Sequence, residues 1–333
     1  MDTQQLIYTG MVMAATGGYY VWKMRGASAG GLNAAAPQEH SVQAVKTALE
    51  SHNFLPLAGL LAKHEHDRDN LAWYVEDCVD GAPLDPLRHW QRVSAQSALP
   101  HLALGARLIE HAWEARGNGA SSTVSAENAR LFEKRLRESE QNLRRAAELA
   151  PSDPSPWAFM LTVAKGLGYG LEAGADMFSE AVARCPHHLL AHEKYGAVLS
   201  DRWGGSDAQY LAFARDAYGR AGPDSVLSAL ICQVHEDIAT YPLHFRNDPV
   251  AEKAYRARPE VLSEVSAAFD ASLGRPGVQR TKSTIKAARE FAQWFHACND
   301  KPRGRRCLEL IGDELDQGLL GNDRKLKKWL SQS

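Results

Sequence analysis

The run at residues 187–193 carries the side chains best suited to bind a metal ion. His188 and His192 stand four residues apart, so on a helix their imidazoles would share one face. The zinc-binding H-E-x-x-H motif needs a glutamate between two such histidines, whereas Glu193 follows the pair here. Exposed histidines are also common where a polar helix starts after a proline turn. A metal-dependent hydrolase that uses His188, His192 and a distant carboxylate is therefore the alternative hypothesis, behind a non-catalytic function.

Two further runs with histidine indicate structure rather than chemistry. His64 and His66 would point about 200° apart on a helix, and the charged residues around them predict a solvated connector. His235 falls on a predicted helix, where a single histidine is more often a hydrogen-bonded structural residue than a base. The sequence thus predicts no cofactor and no catalytic residue.

The segment Trp203-Gly204-Gly205-Ser206 contains a tryptophan followed by two glycines, which an ordinary turn between helices does not require. One interpretation is a loop whose backbone amides and indole contact a ligand. The favoured interpretation is a tight turn beside a packed Trp203, with Ser206 capping the next helix. The glycines do not form a phosphate-binding loop, because no Gly-Lys-Ser/Thr follows them, and Ser206 has no G-x-S-x-G context.

The helices that must position these residues repeat a pattern. In this pattern a large apolar residue is followed three residues later by alanine and five residues after that by proline. It occurs first at Leu143, Ala146 and Pro151 and again at Phe178, Ala181 and Pro186. A looser copy follows at Ala214, Ala217 and Gly222. The large residue can fill the groove of a neighbouring helix, the alanine allows close approach and the proline ends the helix. Such self-similarity predicts stacked helical hairpins, because one hairpin cannot bury its apolar face alone.

These spacings resemble the second-helix positions of the tetratricopeptide repeat (TPR) family. The two copies lie 35 residues apart, Trp157 comes one residue earlier than the family's first-helix aromatic, and Ser139 and Gly174 stand where alanine is usual. The resemblance covers about 85 residues around the repeats. It implies an all-α fold, an array of antiparallel helical hairpins in a right-handed TPR-like α-solenoid.

Three stretches also resemble a bacterial helical-repeat family that is defined only as a domain of unknown function. They are residues 112–117, 143–154 and 202–206. This resemblance spans roughly residues 45–320 and implies helical repeats. It implies no activity and no catalytic residue.

Composition agrees with a helical protein in a reducing compartment. Alanine and leucine outnumber valine and isoleucine, which favours helix over strand. The formal net charge of −2 gives no reason to expect nucleic acid as a partner. The five cysteines are odd in number and widely spaced, which is typical of free thiols in the cytoplasm rather than of a disulfide framework or a structural zinc site.

The chain divides by pattern into five segments. Residues 1–25 are a candidate membrane anchor, 26–40 a flexible linker, 41–125 an N-terminal helical region, 126–222 the TPR-like repeats and 223–333 a C-terminal helical region with a connection at 241–249. Residues 6–22 contain no charge and precede Lys23 and Arg25, so a spanning segment would place the rest of the chain in the cytoplasm. This stretch is at the short limit for crossing a bilayer, so a helix packed on the body or a mobile tail stays an alternative.

The preferred hypothesis is a non-catalytic scaffold that binds a protein or peptide partner, as helical solenoids do. Aromatic and arginine side chains dominate binding energy where they are exposed. The predicted contact residues are Trp113, Arg116, Trp157, His188, Trp203, Gly204 and Gly205. A third hypothesis is a purely structural module tethered to a membrane through residues 6–22.

Overall fold

The computed structural model describes residues 41–117, 124–246, 248–312 and 328–329. Within these ranges the chain forms fifteen α-helices and two short 3₁₀ helices, and no β-strand occurs there. The predicted all-α fold class is therefore confirmed. The predicted anchor and linker lie outside the described residues, and no helix in the described ranges is long and apolar enough to cross a membrane.

The chain forms two compact units with a boundary between Val198 and Leu199. The first unit contains α1 (Val42–Glu50), α2 (Leu55–His64), α3 (Leu71–Val79), α4 (Leu84–Val93), α5 (Ala98–Arg116), α6 (Ala126–Leu149), α7 (Ser155–Leu167), α8 (Gly170–Arg184) and α9 (Leu189–Val198). The second unit contains α10 (Asp207–Ala221), α11 (Ala229–Arg246), α12 (Pro249–Arg256), α13 (Pro259–Ala271), α14 (Lys282–Ala297) and α15 (Lys301–Ile311).

The first copy of the repeated pattern packs α6 closely on α5. Leu143 and Ala146 are completely buried. A Cβ placed on Gly105 of α5 would lie 2.8 Å from the Leu143 side chain, so only glycine allows this approach. Ser139 donates a hydrogen bond from its hydroxyl to the Gly105 carbonyl oxygen at 2.7 Å. The helix ends at Leu149, two residues before Pro151, as the pattern predicts.

The second copy packs α8 on α9, the helix that follows it. Phe178 is half-buried and stacks on Tyr195 of α9 with the ring centroids 4.4 Å apart. Ala181 is completely buried. A Cβ on Gly174 would lie 2.9 Å from Val198, so the small residue at this position permits close helix contact. The large residue of each copy therefore packs against a neighbouring helix.

The second unit is built around aromatic side chains of α13 and α14. Phe269 meets Phe291 and Phe295 edge-on, with centroid distances of 5.2 and 5.0 Å. Trp294 is completely buried beside them on α14. The predicted connection at 241–249 is wrong in part, because α11 continues through Pro242 to Arg246.

Two helices of the first unit end in a left-handed residue. Gly168 after α7 has φ 69°, and the next amide donates back into the last helical turn at 3.0 Å. His52 after α1 has φ 58°, and the following amide donates in the same way at 2.8 Å. Glycine adopts this conformation freely, whereas a side chain raises its energy. The histidine at this position is thus held in an unfavourable conformation.

Candidate functional site

The turn between α9 and α10 is closed by its own backbone. The Ser200 carbonyl oxygen accepts hydrogen bonds from the amides of Trp203 at 3.0 Å and Gly205 at 3.2 Å. The amide of Ser206 donates to the Leu199 carbonyl oxygen at 2.9 Å. These three amides are used inside the turn, so they are not offered to an anionic ligand. A glycine nest that cradles an anion is therefore not formed by these donors.

Backbone geometry accounts for both glycines of this turn. Gly204 has φ 95°, in the left-handed region that favours glycine. A Cβ on Gly205 would lie 2.0 Å from the carbonyl oxygen of Leu199, which is sterically impossible without moving the backbone. Ser206 then caps α10 by accepting a hydrogen bond from the Gln209 amide at 3.2 Å. The predicted tight turn and the predicted cap at Ser206 are both present.

A small cavity lies beside this turn, and we call it the acidic cavity. It has a volume of about 30 Å³, which is enough to hold a water molecule. Its walls come from the 3₁₀ turn at Asp201–Trp203, from the start of α10 and from the middle of α11. The lining side chains include Asp201, Arg202, Asp207, Tyr210, Asp237 and Tyr241.

The acidic cavity is lined by more acidic than basic side chains. Asp201 and Asp207 are exposed and lie at opposite ends of the turn. Partial burial, with repulsion from Asp201, raises the pKa of Asp207, although Arg202 opposes the shift. The Arg202 guanidinium stacks over the Tyr241 ring at 5.8 Å. A second cation would relieve the repulsion between the two carboxylates.

A buried histidine network lies in the same unit. His235 is 2% exposed, and its Nδ1 lies 2.8 Å from the Tyr255 hydroxyl while its Nε2 lies 3.0 Å from Glu264 Oε2. Arg215 donates to both oxygens of Glu264, at 2.6 and 2.7 Å. Both ring nitrogens are used, and burial lowers the pKa of His235. The network connects α10, α11, α12 and α13, and it has the form of a structural element rather than an open acid–base site.

His188 and His192 do not project together toward a metal. His188 is completely buried, and its Nδ1 accepts a hydrogen bond from the Ala191 amide at 3.2 Å. Nδ1 of His192 lies 3.0 Å from the His188 carbonyl oxygen. Among the residues that the structure describes, no group of three or more His, Cys, Asp or Glu side chains could hold a metal ion. The metal-dependent hydrolase therefore gains no support from this geometry.

The structure brings two residues to His188 that the sequence pattern does not connect. Cys185 Sγ lies 3.0 Å from Asp69 Oδ1, although the two residues are 116 positions apart. Burial and the nearby Asp69 carboxylate raise the pKa of Cys185 to about 12. Nucleophilic cysteines have the opposite property, a lowered pKa that supplies a thiolate near neutral pH. A cysteine, a histidine and an aspartate thus meet here without forming an activated nucleophile.

The other predicted contact residues of the first unit pack against side chains of the same unit. Trp113 is 6% exposed and meets Phe132 edge-on at 4.8 Å. Arg116 stacks over Trp113 at 5.3 Å. Trp157 is half-buried beneath Arg184, whose guanidinium lies 5.1 Å from the ring centroid. The burial of Trp113 and His188 leaves neither side chain accessible to a partner in this conformation.

Trp203, Gly204 and Gly205 lie in the turn beside the acidic cavity, between its lining residues Arg202 and Asp207. The carboxylates on either side of them, Asp201 and Asp207, were not predicted as site residues, although their positions next to the double glycine were a usable signal. No sequence signal placed Asp237 and Tyr241 beside this turn, because they come from α11.

A comparison with known protein families, with curated proteins and with solved structures finds no match. The resemblances to the TPR family and to the bacterial helical-repeat family therefore stay predictions.

Proposed function

We propose that this protein is a non-catalytic helical-repeat scaffold, arranged as TPR-like antiparallel hairpins, that binds a protein or peptide partner. The partner presents a lysine or arginine side chain to the acidic cavity. The observation that carries this proposal is the pair of exposed carboxylates, Asp201 and Asp207, beside a cavity with aromatic walls.

The chemistry of the cavity favours a cation on an aliphatic stem. Burial and repulsion from Asp201 together outweigh the attraction of Arg202 at Asp207. Trp203 is partly exposed at the turn, and Tyr241 is partly exposed on α11. Aromatic rings of this kind can contact the methylene groups of lysine while its ammonium group meets the carboxylates. Exposed ion pairs contribute only about 0.2–1 kcal/mol each, so we expect weak binding that salt weakens further.

The same geometry makes catalysis the less favoured function. The Cys185 thiol stays protonated, both nitrogens of His235 are used, and the described residues contain no metal-binding group of three side chains. All five cysteines are free thiols, which supports a cytoplasmic location. A membrane tether through residues 6–22 stays part of the proposal, because that segment lies outside the described residues.

Selection from a library of random peptides displayed on phage tests the proposed partner chemistry. Full-length protein is the bait, and we expect the bound peptides to be enriched in lysine or arginine. The Asp201→Asn/Asp207→Asn variant should lose this enrichment. Asp176→Asn removes an exposed carboxylate of α8 instead and should behave as the wild type. Selection without a cationic preference, or with the same preference in the double variant, would refute the proposed recognition.

A further inference from the structure

The start of α9 is capped by an imidazole rather than by the usual hydroxyl or carboxylate. The Ala191 amide donates to Nδ1 of His188 at 3.2 Å, and the His192 amide donates to the His188 carbonyl oxygen at 3.2 Å. Because an N–H group donates to Nδ1, that nitrogen must carry a lone pair. The ring proton therefore lies on Nε2, and the capping imidazole is neutral.

The surroundings of His188 disfavour a positive charge. The ionisable groups that act on His188 are Asp69 from the connection between α2 and α3 and His192 from α9. Arg68 acts on the neighbouring Cys185, and His187 acts on His192. Asp69 favours the imidazolium, but His192 and above all burial oppose it. The balance lowers the pKa of His188 to about 4.

We propose that neutral His188 holds the connection between α8 and α9 closed and that its protonation in acid lets the connection open. We call this connection, with its His188 cap, the latch. A proton added to Nδ1 of His188 turns the acceptor into a donor that faces the Ala191 amide, so the cap is lost. The same proton places a positive charge at the positive end of the α9 dipole. The connection opens in response, while the rest of the first unit stays folded, and opening gives solvent access to the buried Cys185.

The pH range follows from the sign of the linkage. The folded connection keeps His188 neutral, whereas an opened connection releases it to an ordinary pKa of about 6.5. The stability of the latch is therefore complete above pH 6.5 and falls as the pH decreases toward 4. Opening takes up one proton at His188 in this range, which raises the opening equilibrium about tenfold for each pH unit. Burial also lowers the pKa of His192 to about 4, so release of His192 adds up to the same factor again.

Hydrogen exchange read by mass spectrometry tests the latch in the full-length protein. The measured quantity is the protection factor, the ratio of the intrinsic to the observed exchange rate, between pH 7.5 and pH 4. For a peptide covering residues 188–198 we expect protection to fall about tenfold or more per pH unit below 6.5. A peptide from α5 serves as the reference and should keep its protection over the same range.

Two variants separate the latch from general acid unfolding. His188→Asn keeps a capping acceptor without a titrating ring, so its protection at residues 188–198 should fall about tenfold less per pH unit than in the wild type, with only the slope of His192 left. His187→Asn changes the exposed neighbouring histidine and should follow the wild type. Equal pH dependence in the wild type and His188→Asn would overturn the proposal, as would simultaneous loss of protection in α5.

The wild-type protein gives an independent readout if His188→Asn does not fold. ¹⁵N NMR of the imidazoles reports which ring nitrogen carries the proton. We expect one histidine that has its proton on Nε2 at pH 7 and titrates at about pH 4. A proton on Nδ1 of His188 at pH 7 would overturn the latch, because Nδ1 could not then accept the capping hydrogen bond.

Discussion

Truncating Leu143 to alanine tests whether the repeated large residue fills the groove of a neighbouring helix. Leu143 is completely buried, and its side chain lies against the surface left open by Gly105. Removing the isopropyl group leaves a cavity that Gly105 cannot fill, because glycine has no side chain to move into it. Leucine-to-alanine changes in such sites cost about 2–5 kcal/mol. We expect Leu143→Ala to reduce the free energy of unfolding by about 3–4 kcal/mol, in the middle of that range.

Urea denaturation followed by circular dichroism measures this loss. The unfolding curve is fitted with a separate transition for each compact unit. The midpoint of one transition should move to lower urea with an unchanged slope. Leu55→Ala is the matched control, because Leu55 is 66% exposed and the same truncation there should cost less than about 0.5 kcal/mol. A loss below about 1 kcal/mol for Leu143→Ala would show that this position does not pack as described.

Three backbone predictions concern the turns. Gly205→Ala should destabilise the second unit by more than about 2 kcal/mol, because the new Cβ would meet the Leu199 carbonyl oxygen, and thermal unfolding measures the change. Gly204→Ala should cost about 1 kcal/mol in the same assay, since only its left-handed φ opposes the methyl group; a larger loss than for Gly205→Ala would contradict the steric account. His52→Gly should stabilise the first unit by about 0.5–1 kcal/mol in urea, because glycine relieves the left-handed conformation, and a destabilised variant would argue that the imidazole itself makes a needed contact.

The local helical pattern was predictable because it follows from spacing along one helix. The positions of Leu143 and Phe178 predicted side chains that pack on a neighbouring helix, and both do so. The closing turn at Gly204 and Gly205 and the cap at Ser206 were predictable for the same reason. These features depend on residues within about one helical turn of each other.

The exposure of the predicted contact residues was not predictable from spacing. Trp113 and His188 were expected at a binding surface and are buried. The helix that contains Trp113 is apolar on several sides, so the sequence does not show which side faces solvent. The α11 helix also passes through Pro242, where the sequence favoured a break, and only the packing of the whole unit decides such a case.

The contacts that define the acidic cavity and the His188 connection depend on distant parts of the chain. Asp237 and Tyr241 approach the turn from α11, and Asp69 approaches Cys185 from the connection between α2 and α3. Hydrophobic periodicity predicts helices but not which loops they bring together. Without aligned relatives, a single sequence offers no signal for these pairs.

The most direct test of the proposed recognition is a double-mutant cycle on one selected peptide. Fluorescence anisotropy gives the Kd of the peptide, and of its lysine-to-glutamine form, for the wild type and for Asp201→Asn/Asp207→Asn. Loss of two ion pairs should weaken binding of the lysine peptide about two- to thirtyfold, and the glutamine peptide should bind both proteins equally. The same Kd for the lysine peptide with both proteins would contradict the account.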